Sequence, residues 1–254
     1  MKLRWTWITV LLLVTSSAWS MNVEPLSARF APTGRESIKT YRVTNTQSQS
    51  IAVRIRTTTR ELQPNGDEVR NSAEAKFMVF PGRLLLEPGQ TQAVRVQWRG
   101  DSDLPREEAY RIIFEQVAVD DIDAAADDPR GVSVAFMYRY VGAVYITTPQ
   151  AEGEVVHRTT TVIGDPGPAG GVTDLLLEFE NPGTAHVVVR EAAVVLQGVA
   201  PDGTSVRHEL GADALSVLSG INLLAGARVE QPVVLSQPIL PASVEVTPNL
   251  TVSR

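Results

Sequence analysis

The sequence predicts an all-β protein made of two β-sandwich domains, and three observations predict it. Apolar and polar residues alternate with period 2 in one segment after another. Clusters of Pro, Gly, Asn and Asp separate these segments at short intervals, and no long stretch keeps the 3.6-residue period of a helix. Period 2 sends successive side chains to opposite faces of a strand, so each segment can bury one face and wet the other. Many short strands of this kind fit sandwiches. A length of 254 residues with 43% apolar side chains supplies material for two cores.

Taken in order, the chain begins with Lys2 and Arg4, an apolar run from Trp5 to Val14, and a small-residue stretch from Thr15 to Ser20. That is the three-part pattern of a secretory signal, with cleavage expected after Ser20. The apolar run is roughly half the length a membrane-spanning helix needs, so removal is expected and not anchoring. Residues 1–20 are therefore read as the signal peptide, 21–148 as the first domain and 149–254 as the second. The mature protein is expected to be soluble and outside the cytoplasm.

In the first domain, Tyr41–Thr44, Ile51–Arg56 and Ala93–Trp98 alternate as half-buried strands. Turns are expected at Pro32–Gly34, Pro64–Asp67 and Glu87–Gly89, and in the second domain at Pro201–Gly203. The second block of strands starts after Pro149. Because Glu154–Val162 already alternates, the Pro/Gly-rich stretch Ile163–Gly171 is read as a loop between that domain's first two strands. The boundary is placed near Thr147–Gln150. The best helical candidate, Ala212–Leu218, is short and follows Gly211.

Charge and chemistry narrow the function. There is no cysteine, so both sandwiches must stand on packing alone. Without the first twenty residues the chain carries 21 Lys+Arg against 29 Asp+Glu, a net charge of −8, and nucleic acid is not an expected partner. Basic residues concentrate in residues 21–148, with 16 there and 5 in the rest. His157, His186 and His208 lack metal-site spacing and are expected on the surface or in turns. No Gly-x-Ser-x-Gly elbow, Walker loop or Gly-x-Gly-x-x-Gly occurs, and Pro166–Gly171 lacks the lysine and hydroxyl of a phosphate cradle. An enzyme, a cofactor, a bound metal and a small-molecule substrate are therefore not expected.

Several segments together resemble the periplasmic pilus chaperones, the PapD-like family. They are Arg29-Phe30, Tyr41–Asn45, Phe80–Val96 with its Pro81-Gly82-Arg83 and Glu87-Pro88-Gly89 turns, Leu104–Arg111, the run Val132–Ile146, and, in the second half, Leu177–Gly183 and Leu224–Gly226. Their order and spacing carry the resemblance. It implies two immunoglobulin-like domains in an L- or boomerang-shaped arrangement. It also implies a periplasmic chaperone that lends a β-strand to incomplete pilus or fimbrial subunits and delivers them to an outer-membrane usher. An unfinished sheet edge would otherwise aggregate, which is the physical reason for lending a strand. Self-association of the free protein stays open.

The resemblance also implies site residues. The lent strand would present Val132, Val134, Phe136, Tyr138 and Tyr140 on one face; the competing reading packs the same row into the protein's own core. Arg29 stands in the context of the basic residue that grips the subunit's terminal carboxylate. The family's usual second anchor, a lysine, falls on Ala143, which points to an atypical branch with Arg111 or Arg139 as substitute. The plainer reading of each arginine is a solvated or salt-bridged side chain. A two-domain adhesin or fibre subunit is the alternative function. A secreted carbohydrate-active enzyme is a third, disfavoured by an aromatic content of 6%.

Overall fold

The computed structural model describes residues 21–117 and 137–253. The first half supplies eleven strands: β1 Met21–Glu24, β2 Ser27–Phe30, β3 Ile38–Asn45, β4 Ile51–Thr59, β5 Glu61–Leu62, β6 Glu68–Val69, β7 Phe77–Phe80, β8 Arg83–Leu86, β9 Thr91–Trp98, β10 Glu108–Val117 and β11 Arg139–Ile146. They form one sheet in the order β1-β3-β9-β7, a second in the order β2-β11-β10-β4-β8, and a small β5-β6 hairpin. The period read from the sequence is the period of burial. In β3 Tyr41 and Val43 point inward, in β4 Ile51, Val53 and Ile55, and in β9 Val94, Val96 and Trp98. These side chains from two facing sheets close one core.

The second half adds β12 Val156–Val162, β13 Val172–Glu180, β14 Val187–Val199, β15 Ser205–Leu210, β16 Asn222–Leu223, β17 Arg228–Ile239 and β18 Glu245–Ser253. Sheet β12-β13-β17 faces a sheet in which β14 pairs with β15, β16 and β18. A separate core lies between them, with Leu175, Leu177, Phe179, Val189, Val194 and Leu196 fully buried. No strand spans residues 147–155. The expected loop does fall between β12 and β13. Ala212–Leu218 is a run of turns and not a helix, but it buries Leu215 and Leu218 completely.

Both domains close one end in the same way. Asn45 ends β3, is fully buried, and donates from Nδ2 to the carbonyls of Gln49 and Leu86 at 2.8 and 3.0 Å. Asn181 follows β13, is equally buried, and donates to Ala185 and Leu223 at 2.8 and 3.0 Å. The N–H groups of Gly89 and Gly226 bond the backbone carbonyls of these two asparagines, each at 2.8 Å. Both glycines have positive φ, 75° and 73°, which a side chain would resist.

Candidate functional site

Alternation defines the face on which a site can be built. In β10, Tyr110, Ile112 and Phe114 enter the first core, so Ala109, Arg111, Ile113 and Glu115 lie on the opposite, outer face. In β11, Val144 and Ile146 point inward, and Arg139, Val141, Ala143 and Tyr145 point outward. In β2, Ala28 and Phe30 are inward, which turns Ser27 and Arg29 outward. The chain entering β2 lies close because β11 carries Gly142: a Cβ there would stand 3.0 Å from the Leu26 carbonyl oxygen. The neighbouring Ala143 N–H donates to that same oxygen at 2.8 Å.

Register then places the arginines. Arg29 lies beside Tyr145, and Arg111 lies opposite Ala143, which in turn flanks Ser27. Two strand spacings sideways and two residues along separate the Cα atoms of Arg29 and Arg111 by about 12 Å. Two long guanidinium side chains on one face at that separation can approach a common anion.

Around Arg111 runs a connected polar network. Its Nε and Nη2 donate to the two carboxylate oxygens of Glu68 at 2.9 and 2.5 Å. Arg60 Nε and Arg70 Nε donate to the same carboxylate at 2.8 and 2.5 Å. Burial alone would raise the Glu68 carboxyl. The hydrogen bonds from Arg111 and Arg70 and the charges of Arg111 and Arg60 outweigh it and hold the group at about 2. Arg60 also donates from Nη1 to the Tyr145 hydroxyl at 3.0 Å, and Asn222 of the second domain donates to the same oxygen at 2.7 Å.

Tyr145 points away from its own core yet is 3% exposed, because the second domain covers it. Its ring stacks on His186, centroids 3.8 Å apart and 12° from parallel. The His186 backbone N–H and Nδ1 both meet Glu107 Oε1, at 3.0 and 2.5 Å. Burial pushes the Glu107 carboxyl up, but its bonds and charge pairing with His186 prevail and hold it below the ordinary carboxylate range. The outer face near the end of β11 is therefore the face turned to the second domain.

The β5-β6 hairpin reaches into the same junction. Leu62 packs against the second core, the Glu230 N–H donates to the Pro64 carbonyl at 2.7 Å, and Gly66 sits against Val217 and Ile221. Its far strand carries Glu68. One hairpin thus docks on the second domain while holding Arg111 of the first.

The structure brings Arg29 and Arg111 to one region. It does not bring Arg139 there: that residue faces Glu115 across the strands, and six residues of strand, roughly 20 Å, separate it from Tyr145. Val132, Val134 and Phe136 lie outside the described residues. Tyr138 is half-buried, and Tyr140 packs partly against the first core, as the competing reading of that row has it for this residue.

The expectation that the histidines are surface or turn residues is corrected. His186 and His208 are 3% and 6% exposed, the first through Glu107 and Tyr145, the second because β15 turns it inward. Glu68, Arg60, Tyr145 and Glu107 were not singled out from sequence. The Pro64–Asp67 turn marks the hairpin, but nothing local tells where it docks. Among the described residues, no group of three or more His, Cys, Asp or Glu side chains could hold a metal, and no helix is long and apolar enough to cross a membrane.

Residues 22–140 match the family model described as pili and flagellar-assembly chaperone, PapD N-terminal domain. Among solved structures, the fold is similar to a chain of the chaperone–tip adhesin complex of CFA/I fimbriae biogenesis, with 12% identity, a TM-score of 0.54, and 91% of this chain and 98% of that one covered. It is similar to the class 5 fimbriae chaperone CfaA, with 12% identity, a TM-score of 0.52, and 91% and 100% covered. It is also similar to the E. coli chaperone DraB, with 14% identity, a TM-score of 0.51, and 93% and 96% covered. At these identities the likeness carries the two-domain immunoglobulin-like fold. No match is found among curated proteins.

Proposed function

Through residues 22–140 this chain belongs to the PapD-like family of pilus-assembly chaperones, and from that premise we propose that it is exported to the periplasm, binds pilus or fimbrial subunits by lending them a strand, and passes them to an outer-membrane usher. The observation that carries this reading is the pair Arg29 and Arg111 on one face of the β2-β11-β10 sheet, where that face meets the second domain. A subunit's terminal carboxylate would be gripped there, and charge-assisted bonds from a guanidinium fork would fix the register of the added strand. Arg111 takes the part that Ala143 cannot. The lent row would be Val132, Val134 and Phe136, with Tyr138 and Tyr140 leading into the core. No step asks for a covalent catalyst, since the free energy comes from completing the subunit's sheet.

The test is co-expression of a pilus subunit with the full-length chain, followed by osmotic shock and affinity capture. The wild type is expected to leave the periplasm as a soluble complex with the subunit. Arg29→Glu is expected to reduce the captured subunit at least about tenfold, the loss of a charge-assisted bond plus repulsion of the carboxylate. An undiminished complex with Arg29→Glu overturns the mechanism, and a wild-type protein that stays on the cell surface or polymerises favours the fibre-subunit alternative.

A further inference from the structure

The carboxylate of Glu68 lies on Arg111 in the manner a ligand carboxylate would. Two adjacent guanidinium nitrogens meet two carboxylate oxygens, at 2.9 and 2.5 Å. That side-on fork is the geometry by which arginine recognises a terminal carboxylate. If Arg111 is to grip a partner's carboxylate, the position is already filled by one from the chain itself.

Three further observations bear on the exchange. First, Arg60, Arg70 and Arg111 converge on Glu68, so three positive charges meet one negative charge; the Arg60, Arg111 and Glu68 side chains are shielded, 8%, 17% and 14% exposed, and Arg70 stands at the rim, 35% exposed. A second carboxylate entering there meets a surplus of charge of the right sign. Second, Glu68 keeps Arg60 and Arg70 when it gives up Arg111, so its departure leaves no shielded carboxylate unpaired, the usual large cost of breaking such a pair. Third, Arg29 shares the outer face and forms no ion pair among the described residues.

We propose that Glu68 is a built-in competitor for the carboxylate site: in the free protein it occupies Arg111, and an incoming polypeptide's terminal carboxylate displaces it toward Arg60 and Arg70. The idea rests on the reading of Arg111 as a carboxylate anchor. Glu68 thereby sets a threshold. Only a ligand that brings both a free carboxylate and a pairing strand gains enough to displace it, and stray acidic side chains do not. Because Glu68 rides on the β5-β6 hairpin, the exchange also loosens that hairpin's hold on the first domain, while Leu62 and Pro64 keep it on the second.

The experiment measures fluorescence anisotropy of a labelled twelve-residue peptide of alternating valine and threonine with a free C-terminus, and of its C-terminal amide, against the mature protein. Glu68→Gln and Glu68→Ala are both used, with folding checked by far-UV dichroism and Tm. The expected result is a gain of about tenfold in affinity for the free acid, one charge-assisted competitor removed, with the amide unchanged. Arg111→Ala is expected to reduce the preference for acid over amide. If folded Glu68 variants bind the acid no better than wild type while Arg29→Ala or Arg111→Ala lowers its affinity, the competitor role is overturned and the anchor reading stands. If neither arginine variant changes the preference for the acid and the Glu68 variants show no gain, both fall. A preference for the acid that appears only once Glu68 is replaced supports the proposal in its strongest form.

Discussion

At the scale of single residues, each domain stands on one buried asparagine. Asn181 stabilises through four groups at once: its Nδ2 satisfies the carbonyls of Ala185 and Leu223, and its Oδ1 accepts from the Glu154 and Gly183 N–H groups at 3.1 and 3.0 Å. Replacement by alanine leaves four backbone groups without that partner in a dry place. We expect Asn181→Ala to cost about 3 kcal/mol, read as a lower urea midpoint for the second domain. The sequence exposes part of this: Asn45 and Asn181-Pro182-Gly183 stand at the ends of alternating runs, before turn chemistry. The polar residues of the junction were harder to see. Glu107 and His186 are 79 positions apart, and a histidine beside an alternating run carries no local mark that a carboxylate from another domain will meet it. Arg111 could be named because it stands on a recognisable strand. Its partner Glu68 could not, because pairing across two hairpins is a tertiary fact.

At the scale of elements, alternation made most strands legible, since burial on one face is what period 2 encodes. The short stretch with helical spacing, Ala212–Leu218, forms no helix, in keeping with the all-β class: Leu215 and Leu218 sit three apart and both are buried along a chain of turns. The β5-β6 hairpin is the element whose importance the sequence understates. The turn at Pro64–Asp67 is legible, but nothing local shows that Leu62, partly buried, packs against the second core. We therefore expect Leu62→Asp to undock the hairpin, because a carboxylate cannot be buried there without a partner. In differential scanning calorimetry the variant should unfold in two resolved steps where the wild type unfolds in one. A single unshifted transition would show that the hairpin does not couple the domains.

At the scale of the whole molecule, two separate cores are joined by a polar junction, and pH acts on that junction. Glu68, held at about 2, and Glu107, held below its ordinary range, both carry native pKa values depressed from 4.5. Their contribution to stability is complete above the unfolded value and is lost as pH falls through the folded one. Thermal stability is expected to decline from about pH 4.5 toward 2, and Glu68→Gln to flatten the part of that decline owed to Glu68; Tm measured across pH 6 to 3 checks it. The same junction has a geometric consequence. The second domain is attached covalently through residues 147–155 and again, at a distance, through the docked hairpin. Tyr145 stacked on His186 and Glu107 bonded to it add a further point of hold, which resists rocking about the line through the other two. Twisting and sliding are suppressed, and a strand held on the first domain would be presented at nearly constant tilt.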